Sequence, residues 1–430
     1  MDFEHSPQAT ALQQRLDAFM QRYVLPHNAA WHQSVQQGIY PPPFLEDLKA
    51  LAREEGLWNL FLPGLREDEP GTRLSNLDYA PLAETMGRLP WAAEVFNCSA
   101  PDTGNIELLH RFATPEQRTQ WLAPLLNGEM RSAFAMSEPD VASSDPTNLQ
   151  TTVRRDGSEL RLNGRKWFIT GAAHPHCKLL IVMARNADAE ERGDQHHSHS
   201  MLLLPMDTPG VEIVRNIPVV HHHAPEGHCE IVLRNVRVPA DHLLGGWGEG
   251  FAMAQARLGP GRVHHCMRTI GQCELALELA SERALERESF GRHLADYANV
   301  QEWIALTRIE IDQARLLVLR CAWLLDHPER TNIGHVRAQV AAIKVVAAGL
   351  QTRVMDRAMQ IFGAMGLSPD TPLAYFWTWG RALHLMDGPD EVHLRSVARH
   401  ELAQAKARMG ATAAYFTTPE QMRTPPHLSA

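Results

Sequence analysis

Two stretches of this sequence carry residue types suited to holding a planar heterocycle. The first is Phe134-Ala135-Met136-Ser137-Glu138-Pro139-Asp140-Val141-Ala142-Ser143-Ser144-Asp145. Its small hydroxyl residues leave backbone amides and side-chain donors free to meet a polar ring edge or a phosphate. A capped, turn-rich domain boundary has the same composition. The second is Asn163-Gly164-Arg165-Lys166-Trp167-Phe168-Ile169-Thr170-Gly171-Ala172. Aromatic residues beside a hydroxyl on a strand can pack on a flat ring while Thr170 bonds one of its nitrogens. An ordinary hairpin with core aromatics reads the same way.

Other chemistry-bearing residues point to less. Histidines cluster at His196-His197, His221-His222-His223 and His264-His265. None of these runs has a convincing ligand spacing, so no metal site is expected. His264 and His265, which follow Arg262, are read either as facing a substrate or, more simply, as one packed and one solvated ring. Met253, Met267 and Met359 are read as core fillers. The acidic run Asp188-Ala189-Glu190-Glu191 is read as a solvated loop. Six scattered cysteines form no CxxC pair, which argues for free thiols in a reducing compartment. The net charge of -9 argues against a general nucleic-acid binder. No apolar run stands out as a membrane span, and neither terminus carries a targeting signal, so the expectation is a cytoplasmic protein.

The elements that must position these stretches form three zones in an α+β chain. Residues 1–130 read as helical, with Leu45, Leu48, Leu51 and Leu57 at helical spacing. Thr114-Pro115-Glu116-Gln117 reads as an N-cap, a first-turn proline and an acidic first turn, and Trp121, Leu125 and Leu126 follow. Residues 131–246 read as an antiparallel β-domain of short β-rich runs, with Asn163-Gly164 as a hairpin turn. Residues 247–416 read as a four-helix-type bundle, with Ile304, Ile311 and Val318 repeating at sevens. The polar, proline-rich segment 417–430 reads as a disordered tail, and 188–200 as a mobile loop.

Taken together, these stretches resemble the acyl-CoA dehydrogenase family. Ser137-Glu138-Pro139 is similar to the family's Ser/Thr-Glu-Pro signature. Lys166-Trp167-Phe168-Ile169-Thr170 is similar to its Lys-x-aromatic-Ile-Thr/Ser strand. Arg287-Glu288-Ser289-Phe290-Gly291 resembles its Arg-x-x-Phe-Gly motif, and Gln360-Ile361-Phe362-Gly363-Ala364-Met365-Gly366 resembles Gln-x-x-Gly-Gly-x-Gly. The likeness runs from about Leu45 to Leu402. Gly-Pro-Gly-Arg at 259–262 and Asp387-Gly388-Pro389-Asp390-Glu391-Val392-His393 bring it nearest to the subgroup of family members ten and eleven.

The resemblance implies FAD as cofactor, held by Phe134, Met136, Ser137, Phe168 and Thr170 around its rings. Arg287 and Ser289 of a neighbouring subunit would meet its pyrophosphate, and Gln360, Gly363 and Ala364 its adenosine end. Ser144 and Arg262 would lie near an acyl-CoA substrate. Gly261 occupies the alternative position for a base, on the helix near Arg262, and cannot act as one. Asp387 stands where most members of the family carry a catalytic glutamate and would be the catalytic base. It would take the α-proton while the β-hydride passes to flavin N5, giving a trans-2-enoyl-CoA in fatty-acid β-oxidation, with electrons going to electron-transferring flavoprotein. This role requires burial to raise the Asp387 pKa. The family assembles as homodimers or homotetramers. Two other functions share the fold: a flavin oxidase and a non-catalytic assembly factor. Ala364 replaces a family glycine, and Ala298 stands where a glutamine is common, with Gln301 the nearest substitute.

Overall fold

The structure, a computed structural model, describes residues 4–189 and 197–417. The tail from 418, Glu190, Glu191 and His196 lie outside the described residues. The N-terminal zone is built from α1 (Pro7–Phe19), α2 (Asn28–Gln36), α3 (Phe44–Glu54), α4 (Asn76–Gly87) and α5 (Asp102–Phe112), with shorter turns between them. The Thr114 signal becomes a capping box: its hydroxyl accepts from the Gln117 N–H at 3.2 Å, and Gln117 answers on the Thr114 N–H.

The middle zone is one sheet of β1 (Arg131–Ala135), β2 (Thr152–Asp156), β3 (Glu159–Thr170), β4 (Cys177–Asn186), β5 (His199–Pro205), β6 (Val211–Asn216), β7 (His228–Pro239) and β8 (Leu243–Leu244). The order is β6-β7-β3-β2-β4-β5-β8. Most pairs are antiparallel, but β1 and β2 each run parallel to β4. β1 enters directly from the helical zone rather than through a hairpin, which permits the parallel pairing. Asn163-Gly164 is not a turn. β3 passes straight through it, with a register shift against β7 there, and the hairpin is closed earlier, around Gly157. A Cβ on Gly164 would sit 2.3 Å from Thr151 Oγ1, so glycine is needed for a close strand approach rather than for a turn.

The C-terminal zone holds α6 (Gly250–Glu286), α7 (Ala298–Asp326), α8 (Ile333–Phe362), α9 (Leu373–Leu383) and α10 (Asp390–Ala407). By length and composition α8 is apolar enough to cross a membrane, which the sequence reading had not credited. Here it is the central helix of the bundle, touching α6, α7, α9 and α10 and burying Val340, Ile343, Ala347, Leu350 and Val354. Where α4 crosses α6 the backbones nearly touch. A Cβ on Gly271 would lie 1.9 Å from the Glu84 carbonyl oxygen, and one on Gly87 would lie 2.3 Å from that of Arg268. That crossing fixes the height of α6 just beyond the residues that matter below.

One buried group works against the fold. Glu107 on α5 is 3% exposed, and its Oε1 has no hydrogen-bond partner. Burial outweighs Arg111 and Arg257 and pushes its carboxyl up to about 8. Between the ordinary carboxylate pKa and 8 the unfolded chain gives up this proton while the folded chain keeps it, so stability falls as pH rises. Glu107→Gln is therefore expected to raise stability by up to about 5 kcal/mol above pH 8 and by almost nothing at or below pH 4.5. Thermal unfolding of both proteins at the two pH values checks this, and an equal shift at both would reject it.

Candidate active site

Asp387 sits in the connection between α9 and α10, with a left-handed backbone at φ 53°. The connection is clamped from several sides. Lys344 of α8 donates to the Leu383 carbonyl. His384 bonds Asp390 at 2.5 Å and Thr352 at 3.1 Å. The Asp387 carbonyl accepts from Arg262 Nε at 3.0 Å and from His393 Nε2 at 3.2 Å. These bonds occupy the backbone and leave the carboxylate free.

The charge around that carboxylate is the opposite of what the sequence reading required. Burial would raise its pKa, but His265, Arg257, Arg262 and Lys344 outweigh burial and hold Asp387 below the ordinary carboxylate value. The nearest is His265, with Nε2 3.6 Å from Asp387 Oδ2. His265 is thus not simply solvated. His264 is the packed ring, fully buried against Tyr79 at 5.0 Å and Phe61 at 6.0 Å between centroids.

Arg257 was not singled out in the sequence and links this centre to the sheet. It is buried, donates to Asn105 Oδ1 at 2.8 Å, and lies over the Phe134 ring at 4.1 Å. Phe134, Met136 and Met386 all pack against the same core.

On the sheet, the two chemistry-bearing stretches are joined by residues the sequence reading left in the background. Lys166, with no exposed surface, donates to Glu138 Oε1 at 2.8 Å, the Met136 carbonyl at 2.9 Å and the Met183 carbonyl at 2.8 Å. Glu138 also accepts from the amides of Gln150 and Thr151. The Trp167 N–H donates to the Ser137 carbonyl at 3.0 Å. The Lys and Glu of the two motifs are therefore each other's partner. Beyond this clamp Phe168 is 42% exposed with φ 51°, a strained conformation for an aromatic residue. Thr170 Oγ1 meets His228 Nδ1 at 3.0 Å. Ser144 is exposed in the turn after Pro139.

The remaining predicted residues lie elsewhere. Arg287 and Ser289 are on a small hairpin at the far end of α6. From Arg262 to Arg287 the helix spans roughly 37 Å at 1.5 Å per residue. Gln360, Gly363 and Ala364 are exposed at the end of α8, near this hairpin through the contact of Arg283 with the Phe362 ring. Gly363, at φ 65°, ends the helix. Gln301, in the first turn of α7, donates to the Ala295 carbonyl in the turn just before that helix. Among the described residues no three His, Cys, Asp or Glu side chains converge as metal ligands, and all six cysteines are free and buried.

The chain matches three sequence-family profiles in order. They are the acyl-CoA dehydrogenase N-terminal domain over residues 6–129, the middle domain over 133–236 and the C-terminal domain over 248–402. The chain belongs to the acyl-CoA dehydrogenase family. It is 51% identical to the probable acyl-CoA dehydrogenase FadE2 of Mycobacterium tuberculosis, over 96% of this chain and 99% of that one. It is 44% identical to acyl-CoA dehydrogenase family member 11 of Gallus gallus, over 92% of this chain but 51% of that one. The chain therefore spans about half the length of that relative. A solved Mycobacterium abscessus chain assigned to the acyl-CoA dehydrogenases superposes with a TM-score of 0.88 at 47% identity, covering 93% of this chain and 99% of that one.

As an acyl-CoA dehydrogenase the chain is an oxidoreductase with FAD as cofactor. The residues present fit that group. An exposed, strained aromatic stands beside a hydroxyl, and His228 Nε2 beside that hydroxyl is buried without a hydrogen-bond partner. A flat ligand with polar edges would cover the first and meet the polar groups.

Proposed function

We propose that the chain removes two hydrogens across Cα–Cβ of an acyl-CoA thioester, giving a trans-2-enoyl-CoA, with Asp387 as the base. The observation that carries this is the Asp387 carboxylate itself. Its backbone is bonded on the carbonyl side, and its side chain is held among Arg257, Arg262, His265 and Lys344. When bound, FAD supplies the acceptor for the β-hydride, and Phe134, Met136, Ser137, Phe168 and Thr170 are the residues that would hold its ring system.

The protein's own work is to place and charge the base. Asp387 takes the α-proton and becomes neutral, while negative charge grows on the thioester oxygen. Both charges lie among the cations Arg257, Arg262 and Lys344, with the His265 ring beside them. Those cations weaken Asp387 as a base, but they also stabilise the developing enolate, so the penalty is partly returned as the proton moves. The Asp387 N–H is the chain's donor for the thioester oxygen, and Arg262 holds the same residue from its other side, through the carbonyl of the following peptide.

Arg287 is exposed, and Phe290 beside it is 98% exposed. At some 37 Å along one helix from the Asp387 end, they suit a neighbouring copy's cofactor better than their own, which supports a homodimer or homotetramer. Electron-transferring flavoprotein is the proposed acceptor. An anaerobic titration of the purified yellow protein with acyl-CoAs of increasing chain length tests the reading. Loss of the flavin's visible absorption with at least one of them, and its return on adding electron-transferring flavoprotein, is expected. No bleaching by any thioester would sink it, and substrate-dependent peroxide in air would make the protein an oxidase.

A further inference from the structure

We propose that His265 is a positioning residue for Asp387, with Arg268 fixing the one tautomer in which the ring presents an N–H to the carboxylate. The proposal rests on Asp387 being the base. Arg268 Nη2 lies 3.1 Å from His265 Nδ1. A guanidinium has donors and no acceptor, so Nδ1 must be the accepting nitrogen. The ring hydrogen is then on Nε2, the atom 3.6 Å from Asp387 Oδ2. A shift of about 0.5 Å brings it into hydrogen-bond range, and such contacts commonly tighten when a site closes on its ligand.

Arg268 is itself held. Its Nη1 reaches the Cys98 carbonyl at 3.4 Å, and its own carbonyl lies at the close crossing with Gly87. Arg268 and His265 are three residues apart on α6, so they face the same side of the helix. The chain of contacts therefore runs from the α4–α6 crossing through Arg268 and the imidazole to the base.

The groups that face this pair come from five directions, one of them α4, whose Tyr79 reaches Arg268, and His264 adjoins the pair on α6. Arg257, Arg262, Cys266 and Arg268 lie on α6 itself, Lys344 on α8, His393 on α10 and the Cys98 carbonyl before α5. Burial and then Arg268 push His265 down to about 4, so the ring stays neutral across the working range and acts as a donor rather than as a second base. A neutral ring cannot take the α-proton at Nε2, which already carries one. Its contribution is to orient the carboxylate and favour its charged form.

The test is the pH profile of kcat/KM in FAD-loaded protein. The base must be ionised, so activity is lost as pH falls through the Asp387 pKa. His265→Phe removes the N–H and is expected to move that acid limb to higher pH by about one unit, lowering kcat with KM little changed. His265→Gln, which keeps a donor at similar reach, is expected to return the limb toward wild type. Arg268→Met removes the donor that fixes Nδ1 as the accepting nitrogen, so the ring is free to turn its N–H away, and the acid limb is expected to move in the same direction as in His265→Phe. An unmoved limb in His265→Phe, or equal shifts in the Phe and Gln variants, would overturn the positioning role. An Arg268→Met profile with the limb unmoved would overturn the tautomer assignment. If Asp387→Asn keeps bleaching its flavin, the base itself is wrong, and that result is independent of these.

Discussion

Asp387→Asn is expected to lower the rate of anaerobic flavin bleaching by acyl-CoA on the order of a thousandfold or more, while leaving FAD bound. The substitution is nearly isosteric and removes the ability to accept a proton. It also suits the backbone. Asp387 has φ 53°, and asparagine is among the few residues that tolerate the left-handed region. The two hydrogen bonds from Arg262 and His393 go to the Asp387 carbonyl, so both survive the change. What is also lost is one negative charge among the cations Arg257, Arg262 and Lys344, beside the neutral His265 ring. The remaining cations should bind an anionic ligand more tightly, so affinity for acyl-CoA should hold or rise while the chemical step fails. Asp387→Glu separates reach from charge. It keeps a carboxylate but adds a methylene and places a residue less suited to that backbone, so intermediate activity is expected. Single-turnover absorbance traces for the three proteins decide the matter. Bleaching by Asp387→Asn at the wild-type rate would move the base elsewhere.

The low pKa of Asp387 shows where sequence reading stops. Burial was the only influence on this carboxylate that could be anticipated from its neighbours in the chain, and burial alone raises a pKa. The four opposing groups come from residues 257, 262 and 265 on α6 and 344 on α8, up to 130 positions away. Arg262 carried a recognisable motif, but Arg257 and Lys344 look like ordinary helix charges until the bundle brings them together.

Local signals were easier to read. Thr114 to Gln117 contains its own cap, so the helix start was visible without tertiary structure. The succession of helices, sheet and bundle followed from hydrophobic period, and the family profiles match the same succession. Asn163-Gly164 misled because the same dipeptide serves a turn or a close strand contact, and Thr151, which decides between them, belongs to the segment before β2. The His264-His265 pair was visible, but not which ring would turn toward Asp387. The useful clue is a donor-only side chain three residues on, Arg268, which sets the ring's hydrogen whenever the two meet on one helix face.

Lys166→Met is expected to destabilise the protein by about 3–5 kcal/mol and to strip it of FAD. Lys166 and Glu138 are 28 positions apart in sequence, and each is almost fully buried. Burial pushes the Lys166 ammonium down to about 8 despite the adjacent carboxylate, while Lys166 and two backbone amides hold Glu138 below its ordinary value. Both groups therefore remain charged near neutrality. Methionine fills much of the lysine's volume but leaves Glu138 with only its amide donors and leaves the Met136 and Met183 carbonyls without their lysine donor. The cost is thus an uncompensated buried charge rather than a cavity. The same ammonium ties the segment just after β1, with Met136 and Ser137, to the strand carrying Phe168 and Thr170, so its loss should loosen both sides of the proposed flavin wall at once. Adding Glu138→Gln removes the orphaned charge, and the double variant is expected to be more stable than Lys166→Met alone. Denaturation midpoints and flavin retained per chain after gel filtration provide the measurement. A Lys166→Met protein with wild-type stability and full flavin would show that the backbone bond from Trp167 to Ser137 holds the two stretches together without the buried pair.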